Sequence, residues 1–259
     1  MVMKTTLKEQ IIKSIGDGSH GDPFSVLGLH KVPLGKSDVF SLRVFNPFAE
    51  TVIAEVGKKE YELQRVSEEG LFEYVFSRRK KTFDYTLKIT TRDGESYVTA
   101  DPYSFGSLLS DFDLQLWGEG KHYKSYDFMG AHLKEVDGVK GTHFVVTAPS
   151  ARRVSVVGSF NGWDGRIHRM RKHHDQGLWE LFIPLVGEGD YYKFEILSPV
   201  QDPPLKKSDP YAFKSELRPG TASIVHETTG YKWGDKKWIK NREKKQAHDK
   251  PVSVYEINA

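Results

Sequence analysis

The sequence predicts an all-β protein: two tandem immunoglobulin-like β-sandwiches, with a short helix before them and a linker after them. Three observations predict it. From about residue 20 to about residue 230, short runs of alternating polarity are separated by Gly, Pro and Asp turns. Four sequence blocks recur in the same order at an offset of about 105 residues, which is the length of one sandwich domain and far too long for a solenoid repeat. The chain has 259 residues, 38% of them hydrophobic and 12% aromatic, enough for two ordinary domains with real cores.

The first element is a helix within residues 1–19. Thr6 and Glu9 have the spacing of a capping box, in which hydroxyl and carboxylate satisfy each other's backbone N–H groups. Leu7, Ile11, Ile12 and Ile15 then share a face, and Gly16 and Gly18 end the helix.

The strands follow. In residues 39–45, Phe40, Leu42 and Val44 face one way and Ser41 and Arg43 the other. In residues 142–148, Phe144, Val146 and Ala148 alternate with His143, Val145 and Thr147; in residues 178–183, Trp179, Leu181 and Ile183 share a face. The repeat aligns Arg43-Val44-Phe45-Asn46-Pro47 with Val145-Val146-Thr147-Ala148-Pro149, and Gly70-Leu71-Phe72-Glu73 with Gly177-Leu178-Trp179-Glu180. It aligns Tyr85-Thr86-Leu87-Lys88-Ile89 with Tyr192-Lys193-Phe194-Glu195-Ile196, and Asp101-Pro102-Tyr103-Ser104-Phe105 with Asp209-Pro210-Tyr211-Ala212-Phe213. The modules are placed at residues 20–113 and 118–229. Residues 230–259 read as a solvated linker carrying Lys236, Lys237, Lys240, Arg242, Lys244 and Lys245. One further strand is expected over residues 251–257.

Composition excludes several classes. The net charge is +3, without the concentrated basic face of a nucleic-acid binder. No cysteine is present, so there is no disulfide, thiolate metal site or cysteine nucleophile. No stretch approaches the roughly 18 apolar residues of a membrane helix, and residues 1–8 lack an apolar signal core. A cytoplasmic protein with no cofactor is expected. His168, His173 and His174 cluster, but Arg166, Arg169, Arg171 and Lys172 around them would repel a cation, so no metal is expected.

Two side chains stand out as sugar contacts. Asn161-Gly162 signals a tight hairpin turn, leaving the next residue, Trp163, partly exposed, where an indole face can stack on the C–H face of a sugar. The alternative is an indole that only packs over the turn. In the strand around Tyr192, Phe194 and Ile196, Lys193 points outward, with up to three N–H donors for hydroxyls; the alternative is an ordinary surface lysine. The first sandwich has Gly57-Lys58-Lys59 and Thr86 at the matching places, so sugar binding is assigned to the second sandwich and a structural role to the first.

Several motifs resemble the 1,4-α-glucan (glycogen) branching enzymes. Asp22-Pro23-Phe24-Ser25-Val26-Leu27-Gly28-Leu29-His30 is similar to the start of that family's first N-terminal module. Gly158-Ser159-Phe160-Asn161-Gly162-Trp163-Asp164-Gly165, Tyr192-Lys193-Phe194-Glu195-Ile196 and Arg218-Pro219-Gly220-Thr221-Ala222-Ser223 resemble its family-48 carbohydrate-binding module. Val252-Ser253-Val254-Tyr255-Glu256-Ile257 resembles the first strand of its (β/α)₈ barrel, although Asn258-Ala259 departs from the usual His-Leu. The resemblance implies an N-terminal portion ending where the catalytic barrel begins, with α-1,4-glucan (glycogen, maltooligosaccharides) and that barrel as partners. It implies glucan contacts at Trp163, Lys193 and Asn161. It supplies no match to the paired carboxylates of a retaining mechanism, so no transferase activity is expected from these residues. Residues 197–202 lack the second stacking tryptophan of stronger binders, which implies weak binding. Two readings remain beside it: a free-standing glycogen-binding or structural sandwich protein, and the leading part of a debranching or trehalose-releasing hydrolase.

Overall fold

The computed structural model describes residues 5–35, 37–200, 202–246, 249–251 and 253–257. It divides into two units, Met1–His226 and Glu227–Ala259.

The first unit begins with helix α1 (Glu9–Gly16). Strands β1 (Gly28–Leu34), β2 (Ser37–Phe45), β3 (Ala49–Val56), β4 (Lys59–Glu62), β5 (Gln64–Arg65), β6 (Leu71–Phe76), β7 (Thr86–Thr91) and β8 (Ser96–Thr99) follow. They form two antiparallel sheets, β1-β2-β6-β5 and β4-β3-β7-β8. Phe40, Leu42 and Val44 of β2 join Val52 and Ala54 of β3 and Leu87 and Ile89 of β7 in one core, as period-2 alternation requires.

Helix α2 (Asp111–Gly118) leads into the second sandwich. Its strands are β9 (Gly130–Val136), β10 (Val139–Thr147), β11 (Arg153–Gly158), β12 (Arg171–His173), β13 (Leu178–Pro184), β14 (Tyr191–Leu197), β15 (Leu205–Lys207), β16 (Lys214–Ser215) and β17 (Ser223–Ile224). One sheet runs β12-β13-β10-β9; the other runs β11-β14-β17-β16, with β15 also beside β14. Phe144, Val156, Trp179, Leu181, Tyr192 and Phe194 fill the space between them.

The duplication extends to individual hydrogen bonds. Tyr85 donates its hydroxyl to Asp101 Oδ2 at 2.7 Å, and Tyr192 donates to Asp209 Oδ2 at 2.6 Å. Each aspartate also accepts the amide two residues on, from Tyr103 and Tyr211. Burial pushes the Asp101 carboxyl up to about 6 against these two bonds. Gly28 and Gly130, at φ +90° and +97°, sit against the backbone of Tyr103 and Tyr211, where a Cβ would meet a carbonyl oxygen at 3.1 and 3.0 Å. Both positions therefore need glycine.

The two sandwiches are joined by the arginine-rich segment between β11 and β13. Arg169 is fully buried and donates to Ile15 O at 3.2 Å, and Arg166 donates to Gly16 O at 3.4 Å. These carbonyls lie at the C-terminal end of α1, where unsatisfied acceptors and the helix dipole favour a cation. Arg171 donates to Phe105 O at 3.1 Å and lies 4.0 Å from the Phe24 ring centroid. Tyr103 donates its hydroxyl to Ile167 O at 2.8 Å.

Four local expectations are corrected. Thr6 makes no capping box with Glu9. Its hydroxyl and amide go to Glu73, and α1 is capped by Lys8 without a side-chain bond. A buried carboxylate needing donors outweighs a solvent-facing cap. The junction between the modules is helical: Ser110 accepts the Asp113 amide at 3.1 Å and starts α2. In the second unit, the segment read as a solvated linker forms helix α3 (Lys236–Lys245), consistent with its lysines, glutamate and arginine being good helix formers. Arg242, Lys244 and Lys245 fall in its favourable last turn. Over residues 251–257 the described positions form no strand, and Val252 lies outside the described residues. An alternating pattern becomes a strand only by pairing.

Candidate functional site

The candidate site is built on the loop that leaves β11. A single 3-10 turn, Ser159–Asn161, is followed by Gly162 at φ +61° and Trp163 at φ +59°. The chain then returns antiparallel to β11: the Val156 amide donates to His168 O and the Met170 amide to Val154 O, both at 2.9 Å. The expected tight turn is thus the tip of a wide loop rather than a two-residue hairpin.

Asn161 is 4% exposed. Its Oδ1 accepts the Gly158 amide at 2.9 Å, and its Nδ2 donates to Val156 O at 2.9 Å and His168 Nδ1 at 3.0 Å. The expected sugar contact from this side chain is replaced by a structural one: three internal bonds fix the turn that carries Trp163. Burial keeps the His168 ring neutral, pushing it down to about 4.

Trp163 is half-buried. Its amide donates to Gly158 O at 3.0 Å, and its carbonyl accepts from Lys206 Nζ at 2.8 Å. Left-handed backbone costs a bulky L-residue about 1–2 kcal/mol, and such outliers gather where a side chain is held for use.

Lys193 lies on β14 opposite Val157, on the face away from the buried Tyr192 and Phe194. Its ammonium donates to Thr221 Oγ1 at 2.6 Å. Glu195, two residues on and hence on the same face, binds Arg153 Nη2 at 2.9 Å and stands 3.9 Å from Lys206 Nζ. Lys206 in turn holds the Trp163 carbonyl, so the tryptophan backbone and Lys193 border one patch of the β11–β14–β15 sheet. In the first sandwich, Gly57 at φ +63° has open space around it, and Thr86 binds Glu55 at 3.0 Å; no aromatic side chain stands at that turn.

The histidines do not converge. His168 is taken by Asn161, and His173 Nε2 donates to Glu180 Oε1 at 2.8 Å. Among the described residues no group of three or more His, Asp or Glu side chains is arranged to hold a metal ion. Sequence reasoning missed the buried Glu180, which also receives His143 Nε2 at 3.0 Å and the Leu108 amide at 3.1 Å. No local signal marks its burial, because two of its three partners here are 37 and 72 residues away, and only His173 is near in sequence.

Two family profiles match the chain. Residues 8–103 match "alpha-1,4-glucan branching enzyme GlgB, N-terminal domain", and residues 128–212 match "Carbohydrate-binding module 48 (Isoamylase N-terminal domain)". Fold and profiles together define a tandem β-sandwich protein whose second sandwich is a carbohydrate-binding module. Over 256 residues it is 44% identical to 1,4-alpha-glucan branching enzyme GlgB of Trichodesmium erythraeum, covering 98% of this chain and 32% of that protein. Over 249 residues it is 46% identical to the enzyme of Roseobacter denitrificans, covering 95% and 33%. The chain belongs to the 1,4-alpha-glucan branching enzyme family, corresponds to its N-terminal part, and spans about a third of the length of these curated relatives. A pullulanase from Anoxybacillus sp. LM18-11, solved in complex with maltotriose, covers 73% of this chain and 26% of its own at 17% identity, with a TM-score of 0.32. Among the described residues no helix is long and apolar enough to cross a membrane.

Proposed function

We propose that this chain is the glucan-holding part of a cytoplasmic glycogen branching enzyme. The second sandwich, residues 118–229, grips α-1,4-glucan, and the first, residues 20–113, braces it. Trp163 is the stacking platform, Lys193 donates to sugar hydroxyls, and Asn161 fixes the turn. The observation that carries this reading is the left-handed backbone of Trp163, held from both sides by Gly158 and Lys206. An indole in that conformation on the loop leaving β11, with an outward lysine on the neighbouring β14, suits a flat C–H face flanked by hydroxyls. Stacking on one ring contributes only about 1–2 kcal/mol, so with the hydrogen bonds added binding is expected to stay weak, with dissociation constants from about 100 µM to millimolar. In the whole enzyme the module would position donor or acceptor chains for a catalytic barrel, while residues 1–259 alone carry out no transfer.

Affinity electrophoresis in glycogen gels tests this reading. The parent chain is expected to be retarded and Trp163→Ala to be retarded markedly less; equal retardation of both would remove Trp163 from the site. Branching of amylose by the purified chain, seen as a shifted iodine colour, would contradict the non-catalytic assignment.

A further inference from the structure

A cleft of about 820 Å³ lies between the two sandwiches, within the usual size range of small-molecule sites. The first sandwich contributes the β2–β3 turn and parts of β7 and β8; the second contributes residues 159–162, 166–168 and 183–186.

Two aromatic rings stand open in it, Phe48 at 44% and Tyr97 at 40% exposure. Asn46, 8% exposed, fixes both of their segments: its Oδ1 accepts the Phe48 amide at 2.9 Å, and its Nδ2 donates to the Tyr97 hydroxyl at 3.3 Å. From the opposite sandwich Gly162 closes on Phe48, so that a Cβ there would lie 3.1 Å from the ring Cζ. Phe48 is therefore held between both sandwiches and Tyr97 is tethered by Asn46, which lowers the ordering cost of binding.

The polar groups of the cleft are of mixed kind. His168 accepts from Asn161 at Nδ1, so its neutral ring carries the proton on Nε2, which has no partner among the described residues. Tyr97 receives a bond from Asn46 and keeps its own proton to donate. Arg92, Asp93 and Glu95 line the cleft as exposed side chains of opposite charge, so no single sign of charge dominates as a phosphate or nucleotide site would require. Fixed ring faces interleaved with neutral donors and carboxylate acceptors suit an uncharged, polyhydroxylated ring.

We infer that this cleft binds a second segment of α-1,4-glucan, independently of Trp163. The first sandwich is then part of the binding surface and not only a brace. The choice of glucan rests on the function proposed above; the site itself rests on the cleft.

The test is an amide NMR titration of the whole chain with maltoheptaose. The amides of Thr91, Asp93, Glu95 and Tyr97 are expected to shift in the parent and equally in Trp163→Ala. Tyr97→Ala, at an exposed position on the edge strand β8, is expected to weaken the cleft titration about fivefold to tenfold while leaving shifts around Trp163 and Lys193 in place; the unperturbed resonances report that the variant is folded. Shifts confined to Trp163 and Lys193 would overturn the cleft and leave the proposed function standing. Cleft shifts that vanish in Trp163→Ala would overturn its independence. No shift at either place, up to tens of millimolar sugar, would overturn both.

Discussion

Glu73 and Glu180 stand at equivalent places in the two sandwiches, and each carboxylate ties down the segment of chain leading into its own sandwich. Glu73, on β6, accepts from the Thr5 hydroxyl at 2.6 Å and the Thr6 amide at 3.1 Å, ahead of α1. Glu180, on β13, accepts from the Leu108 amide at 3.1 Å, ahead of α2. The neighbouring donors differ: Ser41 and Arg43 serve Glu73, while His143 and His173 serve Glu180. Burial pushes both carboxyls up, but these N–H and O–H donors outweigh it and hold both below the usual carboxylate range. Duplication kept the carboxylate and its task while its partners changed.

Removing the Glu73 carboxylate leaves Arg43, 3% exposed, as an uncompensated buried charge. Glu73→Ala is expected to destabilise the chain by about 3–5 kcal/mol, read as a lowered urea midpoint. The amides of α1 should exchange with solvent faster than those of the β10–β13 sheet, because the N-terminal segment loses its anchor. A loss below about 1 kcal/mol would mean that the segment is held by the packing of α1 around Ile15 and by the Arg166 and Arg169 bonds to its end.

Acid should unfold the protein for an identifiable set of groups. His168, at about 4 in the folded chain, lies below its ordinary value of 6.5, so the unfolded chain takes up the proton first. That contribution is intact above about pH 6.5 and is lost as pH falls toward 4, at most about 3 kcal/mol. Glu73 and Glu180 act in the same sense at lower pH, below about 4.5. Asp101 opposes them: its folded value is raised to about 6, so its contribution is present below 3.8 and is lost as pH rises through 6. Burial also holds His20, His30 and His143 below 6.5, so stability should decline from pH 6.5 to about 4.5 and fall more steeply below it. Histidine Cε1–H NMR checks the assignment, with His168 expected still neutral at pH 5; titration near 6.5 would remove it from the account.

The sequence shows those features that depend on local periodicity. Alternation along β14 put Lys193 outside and Tyr192 and Phe194 inside, and the four repeated blocks gave the two sandwiches. It does not show features set by distant partners. Ser41 and Arg43 read as an outer face, yet they are 0% and 3% exposed, because residues before α1 fold over them. Asn161 reads from the sequence as a turn residue and a sugar contact, but the turn itself consumes its amide. Helix α2 had a legible start, a serine three residues before an aspartate, hidden by the β pattern on either side. Residues 251–257 show the converse, a clean alternation without a partner to pair with.

The repeated tyrosine–aspartate pairs offer a test of the duplication at atomic scale. Tyr85→Phe and Tyr192→Phe each delete one hydroxyl and leave an aspartate buried with one donor fewer. Each should destabilise by about 1–3 kcal/mol. Tyr192→Phe should be the more damaging, because Tyr192 is fully buried in the core while Tyr85 is half-buried. Calorimetric melting of the two variants gives the order, and a reversed order would contradict it.

Trp163 separates a structural role from a binding role most sharply. A bulky residue at φ +59° is strained, and glycine at that position would not be. If the indole served only to cover the loop, Trp163→Gly would lose that packing and lower the melting temperature. If the fold holds it there to meet a sugar, relief of strain should offset the lost packing. Trp163→Gly is then expected to melt level with the parent or about 2–4 °C higher, for a gain of about 1 kcal/mol. The same variant should be retarded markedly less by glycogen, whereas Trp163→Phe, which keeps a flat face and the strain, should be retarded more than Trp163→Gly. A Trp163→Gly protein that melts well below the parent and is retarded by glycogen as strongly as the parent would assign the indole to packing and leave the sugar to another face.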